Sequence, residues 1–265
     1  MIKRSLHDGW RACPAGDLSE VPADLRGRMI PVRTPGTIHG ALLGQGLIPD
    51  PYYADNEKRV QWIGLTDWLW ECDFEADDAL LSHERLDLAF DGLDTVATVR
   101  LNGQVVGMAA NQHLRYRFDV RQAVRAGVNR LSITFASAVK HAREQERRLG
   151  SHPYFNGPAG PFPFIRKMAC NFGWDWGAAL VTCGVWRPVR LEAWSGARIA
   201  NVRPHVLQAT QDRATVEVHV DLEGAGEVRI ALVGPDGRSH PAAGRRIEVD
   251  NPRRWWPRGH GDQPL

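Results

Sequence analysis

The heptad Asn171-Phe172-Gly173-Trp174-Asp175-Trp176-Gly177 places one carboxylate between two indoles and brackets all three with glycines. Those residue types suit a pyranose ring. An indole stacks on the apolar C–H face of the ring, and an ionised carboxylate, which only accepts hydrogen bonds, holds hydroxyls at its edge. A Trp-Asp-Trp tripeptide offers both. The competing reading makes the two tryptophans core side chains of a β protein and Asp175 a turn residue, because Trp buries a large area.

Other chemistries find no comparable support. There is no Gly-x-Ser-x-Gly elbow for a nucleophilic serine and no Gly-rich phosphate loop, so no nucleotide cofactor is implied. His39, His113, His141 and His152 are scattered singles, expected as surface or hydrogen-bonded core residues, and Asp77-Asp78 is expected as a solvated turn between strands. Cys13, Cys72, Cys170 and Cys183 are too sparse for a disulfide scaffold and include no Cys-x-x-Cys, so they are expected as reduced thiols in a cytoplasmic protein without a metal site. With 33 basic against 31 acidic residues the net charge is +2, and no run of like charges suggests a nucleic-acid partner. No export signal is visible at the N-terminus, and no apolar window is long enough for a membrane-spanning helix.

The elements that must position the heptad read as β. Residues 68–75, 85–90, 95–101, 115–120 and 129–136 are short and alternating, and Asn102-Gly103 is a strong hairpin signal. This cadence points to an antiparallel sandwich or jelly roll. Residues 138–149 depart from it as a surface helix, with Glu144 and Arg148 in i,i+4 register. The stretch 151–160 and the following Pro161-Phe162-Pro163-Phe164 are too rich in Pro, Gly and aromatics for regular structure and read as an ordered loop leading into the heptad. Strand character resumes at 185–194, and a second β pattern begins with 198–207, 214–222 and 227–233, with a turn at Gly234-Pro235-Asp236-Gly237. We expect a first domain over 1–196 and a second over 197–265. The second is short for an immunoglobulin-like sandwich of about 100 residues and seven strands, so the chain is expected to be the front of a longer protein.

The chain resembles the N-terminal region of the β-mannosidases of glycoside hydrolase family 2. Pro35-Gly36-Thr37-Ile38-His39, Asp50-Pro51-Tyr52-Tyr53, Asn56-Glu57 and Trp62-Ile63-Gly64 follow in the family's order. Phe90-Asp91-Gly92-Leu93-Asp94-Thr95, Leu101-Asn102-Gly103 and Tyr116-Arg117-Phe118-Asp119-Val120 resemble the jelly roll of the wider family. More selective are Ile165-Arg166-Lys167, Phe172 to Gly177, and the terminal Trp255-Trp256-Pro257 with Gly261-Asp262-Gln263-Pro264-Leu265; Arg258 stands where family members often have Asn. The resemblance implies a galactose-binding-like jelly roll, then a partial immunoglobulin-like sandwich, and a catalytic (β/α)₈ barrel absent from this chain. It implies a retaining hydrolase of terminal β-D-mannosides in oligosaccharides whose two catalytic carboxyls, about 5–5.5 Å apart, lie on that barrel. No catalytic residue is then expected here. By residue-for-residue match Trp174 and Asp175 bind the mannose, while Trp176 is expected as a structural indole unless Gly173 and Gly177 let the backbone turn. Two other readings stand beside this one: a self-contained carbohydrate-binding module, and the same region of a β-galactosidase or β-glucuronidase.

Overall fold

The computed structural model describes residues 1–154 and 159–263; residues 155–158 of the expected 151–160 loop, and Pro264-Leu265 of the terminal motif, lie outside the described residues. The chain divides into two compact units, Met1–Ser195 and Gly196–Leu265.

Among its described residues the first unit carries ten strands: β1 (Ile2–Ser5), β2 (Arg11–Ala15), β3 (Ile30–Pro31), β4 (Asp67–Ala76), β5 (Arg85–Phe90), β6 (Val96–Leu101), β7 (Gln104–Ala110), β8 (Tyr116–Asp119), β9 (Gly127–Phe135) and β10 (Val189–Trp194). They form a six-stranded sheet of order β3-β2-β4-β9-β6-β7 and a four-stranded sheet of order β1-β10-β5-β8, with every pairing antiparallel. Inward alternation in β4 sends Trp68, Trp70, Cys72 and Phe74 into one core with Leu86, Leu88 and Phe90 of β5 and Leu131, Ile133 and Phe135 of β9. The fold is thus a jelly-roll-like β-sandwich. Asn102 and Gly103 take φ of +52° and +85°, the left-handed pair that a two-residue hairpin loop demands, and join β6 to β7.

Among the described residues four α-helices decorate the sandwich: α1 (Ile38–Gly44), α2 (Trp62–Leu65), α3 (Asp78–Leu81) and α4 (Ala138–Leu149). Thr37 caps α1 and Ser137 caps α4, each side chain accepting from the backbone N–H three residues on. Asp77 is no mere solvated turn: its carboxylate caps α3 and pairs with Arg4. On α4, Glu144 pairs with Arg147 at 2.6 Å, while Arg148 donates to Gln145. The expected Glu144–Arg148 pair gives way because i+3 and i+4 neighbours compete for the same carboxylate. Ala138, Val139 and Ala142 turn inward to a satellite core that includes Phe164, Ile165, Phe172, Ala179 and Val181.

The second unit holds a three-stranded antiparallel sheet, β11 (Arg198–Ala209), β12 (Arg213–Glu223) and β15 (Arg246–Asp250), and a two-stranded hairpin, β13 (Ala231–Val233) and β14 (Ser239–Pro241). Only the end of the expected 227–233 strand is paired. Gly234 and Gly237 close the β13–β14 turn with a 2.9 Å backbone bond. Among the described residues no helix is long and apolar enough to cross a membrane.

Candidate carbohydrate-binding site

The heptad begins inside the satellite core and ends outside it. Phe172 is fully buried, and its ring lies 6.4 Å from that of Phe162. Gly173 then adopts φ +88°, a conformation that side-chain-bearing residues avoid, and swings the chain outward. Trp174 and Gly177 exchange backbone hydrogen bonds of 3.0 and 3.4 Å, leaving Asp175 and Trp176 at the tip of a tight turn. The turn separates what an extended strand would align. Trp174 is 49% exposed and Trp176 86% exposed, and Asp175 is exposed between them. Neither indole is a core side chain, so the structural role expected for Trp176 is not what the fold gives it. The Asp175 carboxylate forms no hydrogen bond or ion pair with a described residue. It is an uncommitted acceptor beside an apolar indole wall.

A turn that presents such groups needs rigid arms, and both arms are tied to distant segments. On the approach side, the Lys167 ammonium, 0% exposed, pairs with the Asp94 carboxylate, 1% exposed, whose other oxygen accepts from Thr95 Oγ1. Gln112 brackets the same arm, its N–H donating to the Arg166 carbonyl at 2.9 Å and its Oε1 accepting from the Met168 N–H at 2.8 Å. On the return side, the Ala179 N–H donates to Glu57 Oε2 at 3.1 Å, and Gln61 Nε2 donates to the Ala179 carbonyl at 2.8 Å. Gly36 and Ile38 donate to the carbonyls of Val185 and Cys183, at 2.9 Å each, and fix the irregular segment that precedes β10; the strand expected over 185–194 is regular only from Val189.

His39 sits within this scaffold. It is 8% exposed, Nδ1 has no hydrogen-bond partner among the described residues, and burial, reinforced by the Lys167 charge, pushes its pKa down to about 4. The expectation of a hydrogen-bonded core histidine therefore fails at Nδ1. Asn171 Oδ1 and Thr182 Oγ1 are likewise buried without partners among the described residues. The thiols of Cys72 and Cys183 are buried and pushed up, Cys72 to about 12, whereas Cys170 is exposed; all four cysteines are unpaired. No group of three or more metal-ligating side chains occurs among the described residues.

Of the two residues matched to the sugar site, Trp174 and Asp175, the fold presents both at one surface turn. The supports Glu57, Gln61, Asp94, Gln112 and Lys167 carry no local signature of that role. Four of these five lie in or beside segments that the family resemblance picks out, which was the only signal pointing to them.

An antiparallel β-sandwich of two sheets that lifts an indole, and a carboxylate without a partner among the described residues, on a braced loop defines a jelly-roll-like carbohydrate-binding domain. The chain belongs to the glycosyl hydrolase 2 galactose-binding domain-like family, whose profile matches residues 16–187. It is 31% identical to the β-mannosidase of Rattus norvegicus over 292 aligned positions, covering 98% of this chain and 31% of that protein. Against β-mannosidase B of Thermothelomyces thermophilus it is 35% identical over 252 positions, covering 90% of this chain and 29% of that protein. The crystal structure of the β-D-mannosidase of Dictyoglomus thermophilum superposes with a TM-score of 0.80 at 28% identity, over 99% of this chain and 33% of the other. A Ruminococcus gnavus β-glucuronidase, with a TM-score of 0.63 at 16% identity over 96% of this chain and 38% of its own, shares the fold. This chain spans about a third of the length of the curated relatives it matches.

Proposed function

We propose that this chain is the N-terminal, non-catalytic region of a retaining β-mannosidase-like hydrolase that removes terminal β-D-mannose from oligosaccharides. Trp174 and Asp175 then contribute one wall of the substrate pocket, and a (β/α)₈ barrel of the same polypeptide supplies the catalytic carboxyls. The second unit is, on this reading, the start of an immunoglobulin-like sandwich. The observation that carries the proposal is the braced turn: a carboxylate with no partner among the described residues stands beside a half-exposed indole. Likeness to several β-mannosidases over nearly the whole chain supports mannose over galactose or glucuronate.

Hydrolysis of aryl β-mannoside, β-galactoside and β-glucuronide tests it, comparing the 265-residue chain with the product of the gene read through to its stop codon. Activity on the mannoside by the longer product alone is expected. In that product Asp175→Ala should lower kcat/KM by roughly two orders of magnitude, since each lost charge-assisted hydrogen bond is worth about 1.5–3 kcal/mol. Activity in the short chain, preference for another glycoside, or an unchanged kcat/KM would each refute part of the reading.

A further inference from the structure

Three of the four histidines singled out as isolated in sequence, His113, His141 and His152, converge on one cleft of about 790 Å³ in the first unit, with Arg166 beside them. The topology brings them together. A parallel bridge between Asn111 and Arg166 lays the end of β7 along the approach arm of the loop, and α4 presents His141 and Leu149 on one face, two turns apart. The His152 ring stacks on Phe164 at 5.6 Å and 12°.

The described lining of the cleft carries the Arg166 guanidinium and three imidazoles and no carboxylate. None of Arg166, His113, His141 or His152 forms an ion pair with a described residue, unlike the Lys167 ammonium at its floor, which Asp94 neutralises. Burial, and then the charge of Arg148, lower the His141 pKa, so this imidazole offers hydrogen bonds rather than charge. Leu149 and Pro163, both exposed, add apolar wall on which a ring can lie, while the Phe164 ring behind them is already covered by His152. Unpaired basic groups converging on a cavity of ligand size, with an apolar side, are the chemistry of an oxyanion-bearing small molecule.

We propose that this cleft is a second binding site, distinct from the Trp174–Gly177 turn, for a ring compound carrying a phosphoryl or carboxylate group, such as a phosphorylated or acidic monosaccharide. Arg166 forks onto the anion, the imidazoles complete its hydrogen bonds, and the ring body rests on Leu149 and Pro163. No residue of the Trp174–Gly177 turn lines the cleft, so the proposal stands or falls independently of the mannoside reading.

The test is titration of the 265-residue chain with glucose 6-phosphate, glucuronate and glucose. It is read by the histidine C–H proton resonances and by calorimetry. Saturable shifts with either acid and none with glucose are expected, and the tighter of the two acids shows whether the phosphoryl or the carboxylate group fits. Arg166→Gln should weaken binding by about tenfold or more, the loss expected for one charge-assisted contact. Leu149→Glu, at an exposed position where folding is not at stake, should weaken it similarly by placing a like charge in the cleft. Absence of saturation with both acids, an equal response to glucose, or binding that both variants leave unchanged would overturn the proposal.

Discussion

Lys167→Met tests whether the Asp94–Lys167 pair braces the Trp174–Gly177 turn. The two side chains are 0% and 1% exposed, so the substitution leaves a carboxylate buried with one hydroxyl donor, Thr95 Oγ1, in place of an ammonium. Stranding one member of a buried pair costs about 3–5 kcal/mol, whereas removing both charges costs far less, because the desolvation of each ion is then also removed. Urea denaturation should therefore show Lys167→Met strongly destabilised, with the Lys167→Met/Asp94→Asn double variant recovering about 2 kcal/mol or more relative to the sum of the single changes. Lys167 is two residues from Ala169, where the segment that leads into Phe172 begins. The single variant should accordingly also alter the fluorescence of the exposed Trp174–Trp176 turn below the unfolding midpoint. A loss under about 1 kcal/mol, or strict additivity of the two substitutions, would refute the idea that this pair is a desolvated, mutually dependent brace.

Further outcomes follow from the same structure. His39 is neutral when folded down to about pH 4, while the unfolded chain takes up its proton near 6.5, so its contribution is constant above 6.5 and stability falls as pH drops from 6.5 to 4. The loss sums to about 3 kcal/mol, and urea midpoints at pH 7, 5.5 and 4 should show a shallower decline in His39→Gln; parallel declines would contradict it. Trp176→Ala, at 86% exposure, should change stability by less than about 0.5 kcal/mol, whereas Trp70→Ala, in the core of β4, should cost about 3–5 kcal/mol. Thiol titration of the native chain should modify Cys170 first and leave Cys72 and Cys183 unreacted until denaturant is added, since burial keeps those two protonated; rapid labelling of all four would show the core to be open.

Much of the scaffold is legible one segment at a time. The alternation in β4 and β9 announces two half-buried strands, Asn102-Gly103 announces its own hairpin, and α4 runs over the expected 138–149. Edge elements are harder to see. β7 is largely exposed and carries no apolar alternation, and β1, four residues long, acquires its identity only by pairing with β10 at the far end of the unit. Glu144 found Arg147 rather than Arg148 because helical spacing fixes which residues are neighbours but not which of two neighbours wins.

The β-rich class, the hairpin, the helix and the residue types of the Trp174–Gly177 turn are readable in the chain alone, because periodicity, turn chemistry and side-chain identity are local properties. How those residues are arranged follows from the folding of the whole unit. It turned the backbone between Trp174 and Gly177, so that an indole expected in the core stands 86% exposed at position 176. It also drew Asp94 to Lys167, Glu57 to Ala179, and three scattered histidines to one cleft beside Arg166. Those meetings depend on which strands pair and in what register. That outcome is set by burying the apolar faces of both sheets together, and no local window of sequence contains it.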